Sequence, residues 1–268
     1  MTDQYAVIGN PIEHSKSPLI HEQFAQQTGQ DMHYGRILGE VFHEDVRYFF
    51  HNAGKGLNVT VPFKEQAFDL CDSLSERAET ATAVNTLIYQ DDGSIRGDNT
   101  DGVGLVTDLG CNHLFNFAGA KILLLGAGGA SKGVIRPLLE QNPAELVVAN
   151  RTASKAVDLA AQVEALGPVN GMGLDALVGK RFDLIINGTA AGLSGELPAI
   201  SDDCLEDGGW TYDMMYATEP TAFVKWGRLH NAGKALDGLG MLVEQAAESF
   251  YLWRGVRPET SQVIASLR

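Results

Sequence analysis

The chain has 268 residues, 44% of them hydrophobic and 20% charged, a length that allows one large domain or two modest ones with separate cores. Its formal net charge of −14 opposes binding to nucleic acids and to anionic membranes, because the summed field repels phosphate groups. No apolar run approaches the ~20 residues that span a bilayer, and the N-terminal segment lacks a secretory signal pattern. We therefore expect a cytoplasmic protein whose partners are small molecules.

The cysteines and histidines do not indicate a metal site. Cys71, Cys111 and Cys204 are widely spaced and form no Cys-x-x-Cys pair, so neither a disulfide framework nor a zinc site is suggested. We expect the three thiols to pack as small apolar side chains.

The first hundred residues alternate between strand and helix patterns. A short apolar run at 5–10 ends in turn residues, and helical spacing follows, with Ser17 as the expected N-cap and Pro18 as the first helical residue. The turn at 91–93 predicts a hairpin between two strands. The other predicted elements are strands at 33–38, 56–62, 84–90 and 94–98 and helices near 43–53 and 101–109.

A second alternating series begins at residue 121. The continuous apolar run 121–125 is typical of a strand buried on both faces. Strands separated by helices indicate a doubly wound parallel sheet, and the Gly-Gly-Trp sequence at 208–210 fits a loop. The later predicted strands of this series are 145–149, 183–187 and 211–214.

Two late helical patterns, at 241–253 and 258–267, are expected to pack against the first domain. We therefore predict an α/β protein of two domains. The N-terminal α/β domain has a mainly parallel sheet, and the C-terminal domain is Rossmann-like, with a doubly wound parallel sheet. The predicted bounds are 1–102 plus 239–268 for the first domain and 103–238 for the second.

The turn after the apolar run has the sequence needed to hold a pyrophosphate. Residues 126–131 read Gly-Ala-Gly-Gly-Ala-Ser between a strand and a predicted helix, with Ser131 where a strict Gly-x-Gly-x-x-Gly motif has its third glycine. Glycines let the backbone approach a phosphate closely, and a helix N-terminus offers unpaired N–H groups. A purely structural turn is the alternative. The predicted dinucleotide site is Gly126, Ala127, Gly128, Gly129 and Ala130.

The end of the next strand distinguishes the two nicotinamide dinucleotides. An acidic residue about 20 positions after the glycines would bind the ribose of NAD. This chain instead has Asn150, Arg151 and Thr152, with Lys155 one helical turn beyond Arg151. A guanidinium and an ammonium there can hold a 2′-phosphate, which favours NADP. The alternative is that Arg151 and Lys155 are solvated residues of a helix start.

Three polar segments of the first domain complete the pattern. They are 9–18 (GNPIEHSKSP), 58–64 (NVTVPFK), and Asn85-Thr86 with 97–102 (GDNTDG). Together with the glycine turn and Asn150-Arg151-Thr152, these segments resemble the shikimate dehydrogenase family, in the family's order and approximate spacing. The resemblance implies reversible, NADP-dependent reduction of 3-dehydroshikimate to shikimate, a step of chorismate and aromatic amino acid biosynthesis.

The resemblance also implies roles for individual residues at the substrate. Lys64 would exchange the proton of the reacting hydroxyl, and Asp101 would lie close by and hold the ammonium in position. Alone, Lys64 would be interpreted as a surface lysine and Asp101 as a helix cap. The implied substrate ligands are Ser15, Ser17 and Tyr216 at the carboxylate, and Asn58, Thr60, Asn85 and Gln245 at the ring hydroxyls. Hydroxyl donors beside a helix N-terminus suit an anion, and Asn58 and Thr60, two apart in a predicted strand, would face the same side.

Around the cofactor, the resemblance implies a contact from Glu76, for which a surface helix acid is the alternative. It also implies contacts to the nicotinamide and its ribose from Thr189, Ala190, Met214 and Gly238.

Two other functions stay open. An NAD-using quinate/shikimate dehydrogenase would share the fold, and a non-catalytic sensor would bind NADP or shikimate without turnover. Arg151 argues against the first and the Lys64–Asp101 pair against the second. A monomer and a homodimer are both compatible with the sequence.

Overall fold

The computed structural model describes residues 2–189 and 197–268. The chain divides into two compact units. The first contains the chain up to Gly104 together with Val243–Leu267, and the second contains Leu105–Leu242 with Arg268. Within the described residues, no helix combines the length and apolar composition needed to cross a bilayer.

The helices and strands alternate along most of the described chain. The strands are β1 (Asp3–Gly9), β2 (Met32–Leu38), β3 (Gly54–Val59), β4 (Ser73–Leu74), β5 (Thr86–Tyr89), β6 (Ile95–Asp98), β7 (Lys121–Leu125), β8 (Glu145–Asn150), β9 (Val169–Gly173), β10 (Phe182–Asn187), β11 (Leu205–Asp213) and β12 (Lys234–Leu236). The α-helices are α1 (Ser17–Thr28), α2 (Phe42–His51), α3 (Lys64–Leu70), α4 (Glu76–Ala81), α5 (Asp101–Thr107), α6 (Gly129–Leu139), α7 (Ala153–Val163), α8 (Ala222–Leu229), α9 (Leu239–Arg254) and α10 (Ser261–Leu267).

The sheet of the first unit has the strand order β2-β1-β3-β5-β6-β4. β1 pairs in parallel with β2 and β3, and β4 pairs in parallel with β6. β5 runs antiparallel to both of its neighbours, β3 and β6. The sheet is therefore mainly parallel, and the hairpin predicted around the turn at 91–93 is the β5–β6 pair.

α1 begins one residue earlier than the sequence predicted. Lys16 is its N-cap and makes no side-chain capping hydrogen bond, so Ser17 is the first helical residue. The prediction that Ser17 caps the helix was wrong because Ser15, two residues upstream, supplies the acceptor: its Oγ accepts from the backbone N–H of Ser17 at 3.3 Å. Gly29 ends the helix in the left-handed conformation, with φ 65°.

His21, on the buried face of α1, lies inside an aromatic cluster of the first unit. Its ring stacks on Tyr34 with 4.1 Å between centroids and lies 5.4 Å from the Trp253 ring. Neither ring nitrogen has a hydrogen-bond partner among the described residues. Burial lowers the pKa of His21 to about 3, because the apolar surroundings disfavour the charged imidazolium.

The second unit contains an all-parallel sheet with the order β12-β11-β10-β7-β8-β9. The chain starts at the central β7, winds outward through β8 to β9, and returns to β10 beside β7 before winding the other way. This order confirms the predicted doubly wound sheet. Ile122 and Leu124 pack in the core on one face of the sheet, and Leu123 and Leu125 pack in the core on the other.

The predicted loop at 208–210 was wrong, since these residues lie within β11. The pairing register of β10 with β11 shifts between Phe182 and Leu184, and Gly208 has φ 78°. An irregularity of this kind lets glycines remain inside a strand. The expectation that all three thiols are packing residues also fails for Cys111, which is exposed, whereas Cys204 is buried.

Candidate functional site

Lys64 and Asp101 form an ion pair in the first unit. Each is the first residue of its helix, α3 and α5 respectively, although 37 positions separate them in the sequence. Lys64 Nζ lies 2.6 Å from Asp101 Oδ2, and their side chains are 30% and 15% exposed. The structure thus brings the amine and the carboxylate together, as the family resemblance implied, and both side chains remain partly accessible to solvent.

Asn85 holds the carboxylate of Asp101 on the side opposite to Lys64. Its Nδ2 donates to Asp101 Oδ1 at 2.8 Å, and its Oδ1 accepts from the backbone N–H of Thr100 at 2.9 Å. Gln245, on α9, directs its Oε1 to the same place, accepting from Thr100 Oγ1 at 3.3 Å. Asn85, which was expected to contact a ligand, therefore also orients Asp101, and Gln245 joins the same hydrogen-bond network through Thr100.

Ser15 and Ser17 lie together at the start of α1. Ser15 Oγ donates to Ser17 Oγ at 3.2 Å, and the guanidinium of Arg36 donates to the Ser15 carbonyl at 2.6 Å. Arg36 therefore fixes the loop that carries Ser15. Two hydroxyls, a helix N-terminus and a nearby guanidinium make this end of α1 suitable for a carboxylate.

Asn58 and Thr60 differ in their surroundings. Asn58 is buried in β3, where its Oδ1 accepts from the Tyr34 hydroxyl at 2.6 Å and its Nδ2 donates to Ser249 Oγ at 3.0 Å. Thr60 lies one residue beyond the end of β3 and is half-buried. The prediction that both belong to one strand was therefore wrong at its boundary, although the Thr60 backbone N–H still donates to Ile8 at 3.0 Å.

The glycine turn of the second unit fits the diphosphate of a dinucleotide. Gly126 has φ 100°, a conformation that other residues rarely adopt. A Cβ added at Gly128 or Gly129 would meet no described atom within 4 Å, so the bare backbone faces open space that a ligand can occupy. Gly128 caps α6 without a side-chain hydrogen bond, and the first turn of α6, which includes Ala130, carries no acidic residue. These N–H donors suit a dianionic pyrophosphate.

The residues after β8 offer positive charge to solvent. Arg151, Thr152 and Lys155 are all exposed, and the first turn of α7 has no acidic side chain. Asn150 Nδ2 donates to the Thr152 carbonyl at 3.0 Å, which fixes the bend between β8 and α7. Neither Arg151 nor Lys155 has an ion-pair partner in the described parts of the chain, so both cations are available to a phosphate.

Thr189, Met214 and Gly238 come together in the second unit. A Cβ at Gly126 would lie 3.2 Å from the Thr189 side chain, and one at Gly238 would lie 2.2 Å from the Met214 carbonyl. Tyr216 follows Met214 and is half-buried, which raises the pKa of its hydroxyl. Ala190 lies outside the described residues.

Comparisons with known proteins agree with this geometry. The model of the shikimate dehydrogenase substrate binding domain matches residues 7–87, that of shikimate/quinate 5-dehydrogenase matches 109–194, and that of the shikimate 5′-dehydrogenase C-terminal domain matches 238–268. The chain is 56% identical to the shikimate dehydrogenase (NADP(+)) of Cellvibrio japonicus, over 100% of this chain and 98% of that protein. The chain belongs to the shikimate dehydrogenase family.

A second relative and a solved structure are also similar to this chain over almost all of its length. The shikimate dehydrogenase (NADP(+)) of Methylococcus capsulatus is 57% identical, over 99% of this chain and 96% of that protein. A crystal structure of an Ael1 enzyme from Pseudomonas putida has a TM-score of 0.93 at 44% identity, covering 99% of this chain and 98% of that one. The two-domain α/β fold inferred from the sequence is therefore that of the family.

Glu76 starts α4 in the first unit, where it is exposed and directly follows the N-cap Ser75. A negatively charged side chain in the first turn of a helix is stabilised by the helix dipole. This placement fits the alternative interpretation of Glu76 as a surface helix acid. No group of three or more His, Cys, Asp or Glu side chains suited to a metal occurs in residues 2–189 and 197–268.

Sequence reasoning missed the residues that hold the site together. Four further residues bond to predicted site residues: Tyr34, Arg36, Thr100 and Ser249. Of these, only Thr100 lies in a segment that the sequence analysis singled out. Their partners are distant in sequence, with Ser249 separated from Asn58 by 191 positions. Only the tertiary structure of a shikimate dehydrogenase reveals such pairs.

Proposed function

We propose that the chain is an NADP-dependent shikimate dehydrogenase that reversibly reduces 3-dehydroshikimate to shikimate. The observation that carries the proposal is the 2.6 Å contact between Lys64 Nζ and Asp101 Oδ2, in a chain whose relatives at 56% and 57% identity are named shikimate dehydrogenase (NADP(+)). The pair supplies a proton donor, and the glycine turn supplies a place for the dinucleotide.

Lys64 moves the proton. Bound NADPH supplies the hydride equivalent for the carbonyl carbon at C3. In the reducing direction the Lys64 ammonium donates a proton to the oxygen on C3, where negative charge develops, and in the oxidising direction the amine accepts it. Asp101 keeps the ammonium directed at that oxygen, and Asn85 prevents the carboxylate from rotating by donating to Oδ1 at 2.8 Å.

The remaining first-unit residues recognise the substrate. Ser15 and Ser17 donate to its carboxylate, and Tyr216 is a third proposed carboxylate ligand. Hydroxyl groups bind an anion by donating hydrogen bonds and carry no positive charge that would attract other carboxylates of a chain with net charge −14. The side chains that contact the ring hydroxyls in this proposal are Asn58, Thr60, Asn85 and Gln245.

The second unit binds NADP. Backbone N–H groups of the 126–130 turn hold the pyrophosphate, and Arg151 with Lys155 clamps the 2′-phosphate, beside Asn150 and Thr152. We assign the nicotinamide and its ribose to Thr189, Ala190, Met214 and Gly238, with Glu76 also near the cofactor. The proposed substrate domain is accordingly 1–102 plus 239–268, and the proposed NADP domain is 103–238.

The proposed enzyme works in the cytoplasm as a monomer or homodimer and does not bind nucleic acid. Its net charge of −14 opposes a polyanionic partner. Sedimentation of the purified chain would distinguish the two assembly states.

Initial rates with shikimate or quinate, each with NADP or NAD, test the proposed activity. We expect appreciable dinucleotide reduction with shikimate and NADP and much slower reduction in the other three combinations. Preference for quinate and NAD would favour the alternative quinate/shikimate dehydrogenase. Binding of NADP or shikimate without turnover in any combination would favour a sensor and contradict the proposal.

A further inference from the structure

Asn187 and Asp213 end two neighbouring strands of the second unit. Asn187 is the last residue of β10 and Asp213 the last of β11, and the strand register pairs them directly. Asn187 is also paired with Leu125, the residue before Gly126. The carboxyl ends of parallel strands meet at one edge of a sheet, where doubly wound folds bind their ligands. Both side chains therefore lie at the ligand-binding edge.

The carboxylate of Asp213 is fully buried, at 0% exposure. Its Oδ1 accepts from Asn187 Nδ2 and from the Met215 backbone N–H, both at 3.1 Å, and its Oδ2 accepts from Thr221 Oγ1 at 2.6 Å. Burial raises the pKa of Asp213, and the hydrogen bonds oppose that rise. A buried carboxyl is costly unless its hydrogen bonds are made, so the three donors hold a defined arrangement.

These bonds fix two loops at once. Asn187 Oδ1 accepts from both the backbone N–H and the hydroxyl of Thr189, at 3.1 and 2.7 Å, which shapes the start of the loop after β10. On the other side, Thr221 closes the loop after β11 and also caps α8 by accepting from Val224 at 3.2 Å. The loop closed in this way contains Met214.

The same two loops carry the residues assigned to the nicotinamide end of the cofactor. A Cβ at Gly188 would lie 3.3 Å from Met214 Sδ, and one at Gly238 would lie 3.2 Å from the Asp213 carbonyl. Arg151, by contrast, follows β8, on the other side of β7 in the sheet. Asp213 thus bonds to the surroundings of Thr189 and Met214, and its hydrogen-bond partners among the described residues do not include Arg151 or Lys155.

We propose that Asp213 is a positioning residue for cofactor binding: through Asn187 and Thr221, its buried carboxylate holds Thr189 and Met214 in the arrangement that receives the nicotinamide half of NADP. The inference rests on the proposed function, because it uses the nicotinamide assignment. It concerns the dinucleotide and leaves shikimate recognition in the first unit unaffected.

Calorimetric titration with two ligands tests this role. NADP reaches both the Arg151 side and the nicotinamide side, whereas 2′,5′-ADP carries only the adenosine, the 2′-phosphate and one further phosphate. In Asp213→Ala we expect the Kd for NADP to rise about tenfold or more, from the loss of hydrogen bonds to a charged group. The Kd for 2′,5′-ADP should change less than about twofold, since a distortion confined to the two loops does not reach Arg151.

Conservative variants separate positioning from general damage. Asp213→Asn keeps an oxygen for Asn187 and Met215 and offers an amide donor to the Thr221 hydroxyl, so it should restore NADP binding to within about threefold of wild type. Thr221→Val should weaken NADP binding, whereas Thr221→Ser, which keeps the hydroxyl, should not. Asp183→Asn is the control, because Asp183 also accepts a backbone N–H, from Lys121 at 2.8 Å, but at the opposite end of β10.

Normal NADP binding by Asp213→Ala, or equal losses for NADP and 2′,5′-ADP, would overturn the proposal. If Asp213→Ala does not fold, the Thr221→Val and Thr221→Ser pair decides by the same ratio of Kd values. A wild-type chain that binds no NADP would overturn the proposed function as well, whereas normal wild-type binding with an insensitive Asp213→Ala would overturn this inference alone.

Discussion

The ammonium of Lys64 and the carboxylate of Asp101 are held from one side and open on the other. Asn85 fixes Asp101 at 2.8 Å, and Asp101 holds Lys64 at 2.6 Å, while the lysine side chain remains 30% exposed. A surface ion pair with this exposure adds little to stability. We therefore expect its main effect to be on proton transfer, so that its removal changes turnover more than folding.

Replacing Lys64 by alanine tests this directly. Loss of a general base lowers turnover by roughly 10²–10⁴-fold, and we expect kcat for shikimate oxidation, in which the Lys64 amine accepts the proton, to fall in that range while KM for shikimate changes only a few-fold. Lys55→Ala is the matched control, because Lys55 is an exposed lysine of the same unit. Steady-state rates for both variants give the comparison, and unchanged kcat in Lys64→Ala would remove Lys64 from the mechanism.

Arg151 is the proposed determinant of the preference for NADP over NAD. Replacement by alanine removes a charge-assisted bond to the 2′-phosphate worth about 1.5–3 kcal/mol. The KM for NADP should therefore rise about tenfold or more, with little change for NAD, which lacks that phosphate. Arg228→Ala, at an exposed arginine of the same unit, should alter neither value. Equal increases for NADP and NAD would show that Arg151 does not recognise the 2′-phosphate.

Among the elements, strands with a continuous apolar sequence were more predictable than strands without one. β7 lies where its continuous apolar sequence predicted, because a strand buried on both faces needs apolar side chains throughout. β9 and β12 were missed: β9 has the sequence VNGMG and β12 has only the residues KAL, so neither has an apolar run or alternation. These edge strands form because neighbouring strands offer them backbone partners, which local sequence does not reveal.

The residues of the candidate site were likewise predictable only in part. The family resemblance identified Lys64 and Asp101, and the local sequence around the glycines identified the turn at Gly126. Asn187 and Asp213 were not among the predicted site residues, although Asn187 ends the predicted strand 183–187 and Asp213 is the residue before the end of the predicted strand 211–214. Their importance depends on the register that pairs β10 with β11 and on Thr221, eight positions beyond Asp213. Contacts set by register and burial need the folded structure.

The packing of α7 on β9 depends on Gly171. A Cβ there would lie 2.2 Å from the Ala156 carbonyl oxygen and 2.5 Å from the Val157 Cα, so the helix backbone would have to move. Overpacking of this kind costs about 1–3 kcal/mol, and we expect Gly171→Ala to lower the free energy of unfolding by that amount in urea titrations.

Gly110→Ala is the control for this packing prediction. Its added Cβ would meet only the Phe117 ring at 3.4 Å, an ordinary contact, so the change in unfolding free energy should stay within about 0.5 kcal/mol. Equal stability of Gly171→Ala and wild type would show that α7 does not pack on the β9 backbone as described.

For the whole molecule, the buried His21 links stability to pH. Burial lowers the pKa of His21 to about 3, while the unfolded chain has a histidine pKa near the ordinary value of about 6.5. Between these values the unfolded state binds a proton that the folded state does not, so stability falls as pH falls, by up to about 1.4 kcal/mol per pH unit. The full contribution of neutral His21 is present above pH about 6.5.

His21→Leu should therefore flatten the pH dependence of unfolding between pH about 6 and about 4, measured by urea titration at several pH values. His33→Leu, at an exposed histidine on β2, should leave the slope as in wild type. A His21→Leu chain with the wild-type slope would mean that other groups set the acid sensitivity.

The central claim of the proposed function is that the chain transfers hydrogen directly between shikimate and NADP. Isotope transfer tests it most directly. The purified chain is incubated with NADP and shikimate deuterated at C3 in ordinary water, and the NADPH formed is analysed by mass spectrometry. We expect one deuterium in each NADPH molecule, because hydrogen passes directly between the carbon atoms while Lys64 handles only the hydroxyl proton. NADPH without deuterium, or no NADPH formed from shikimate, would contradict the assignment.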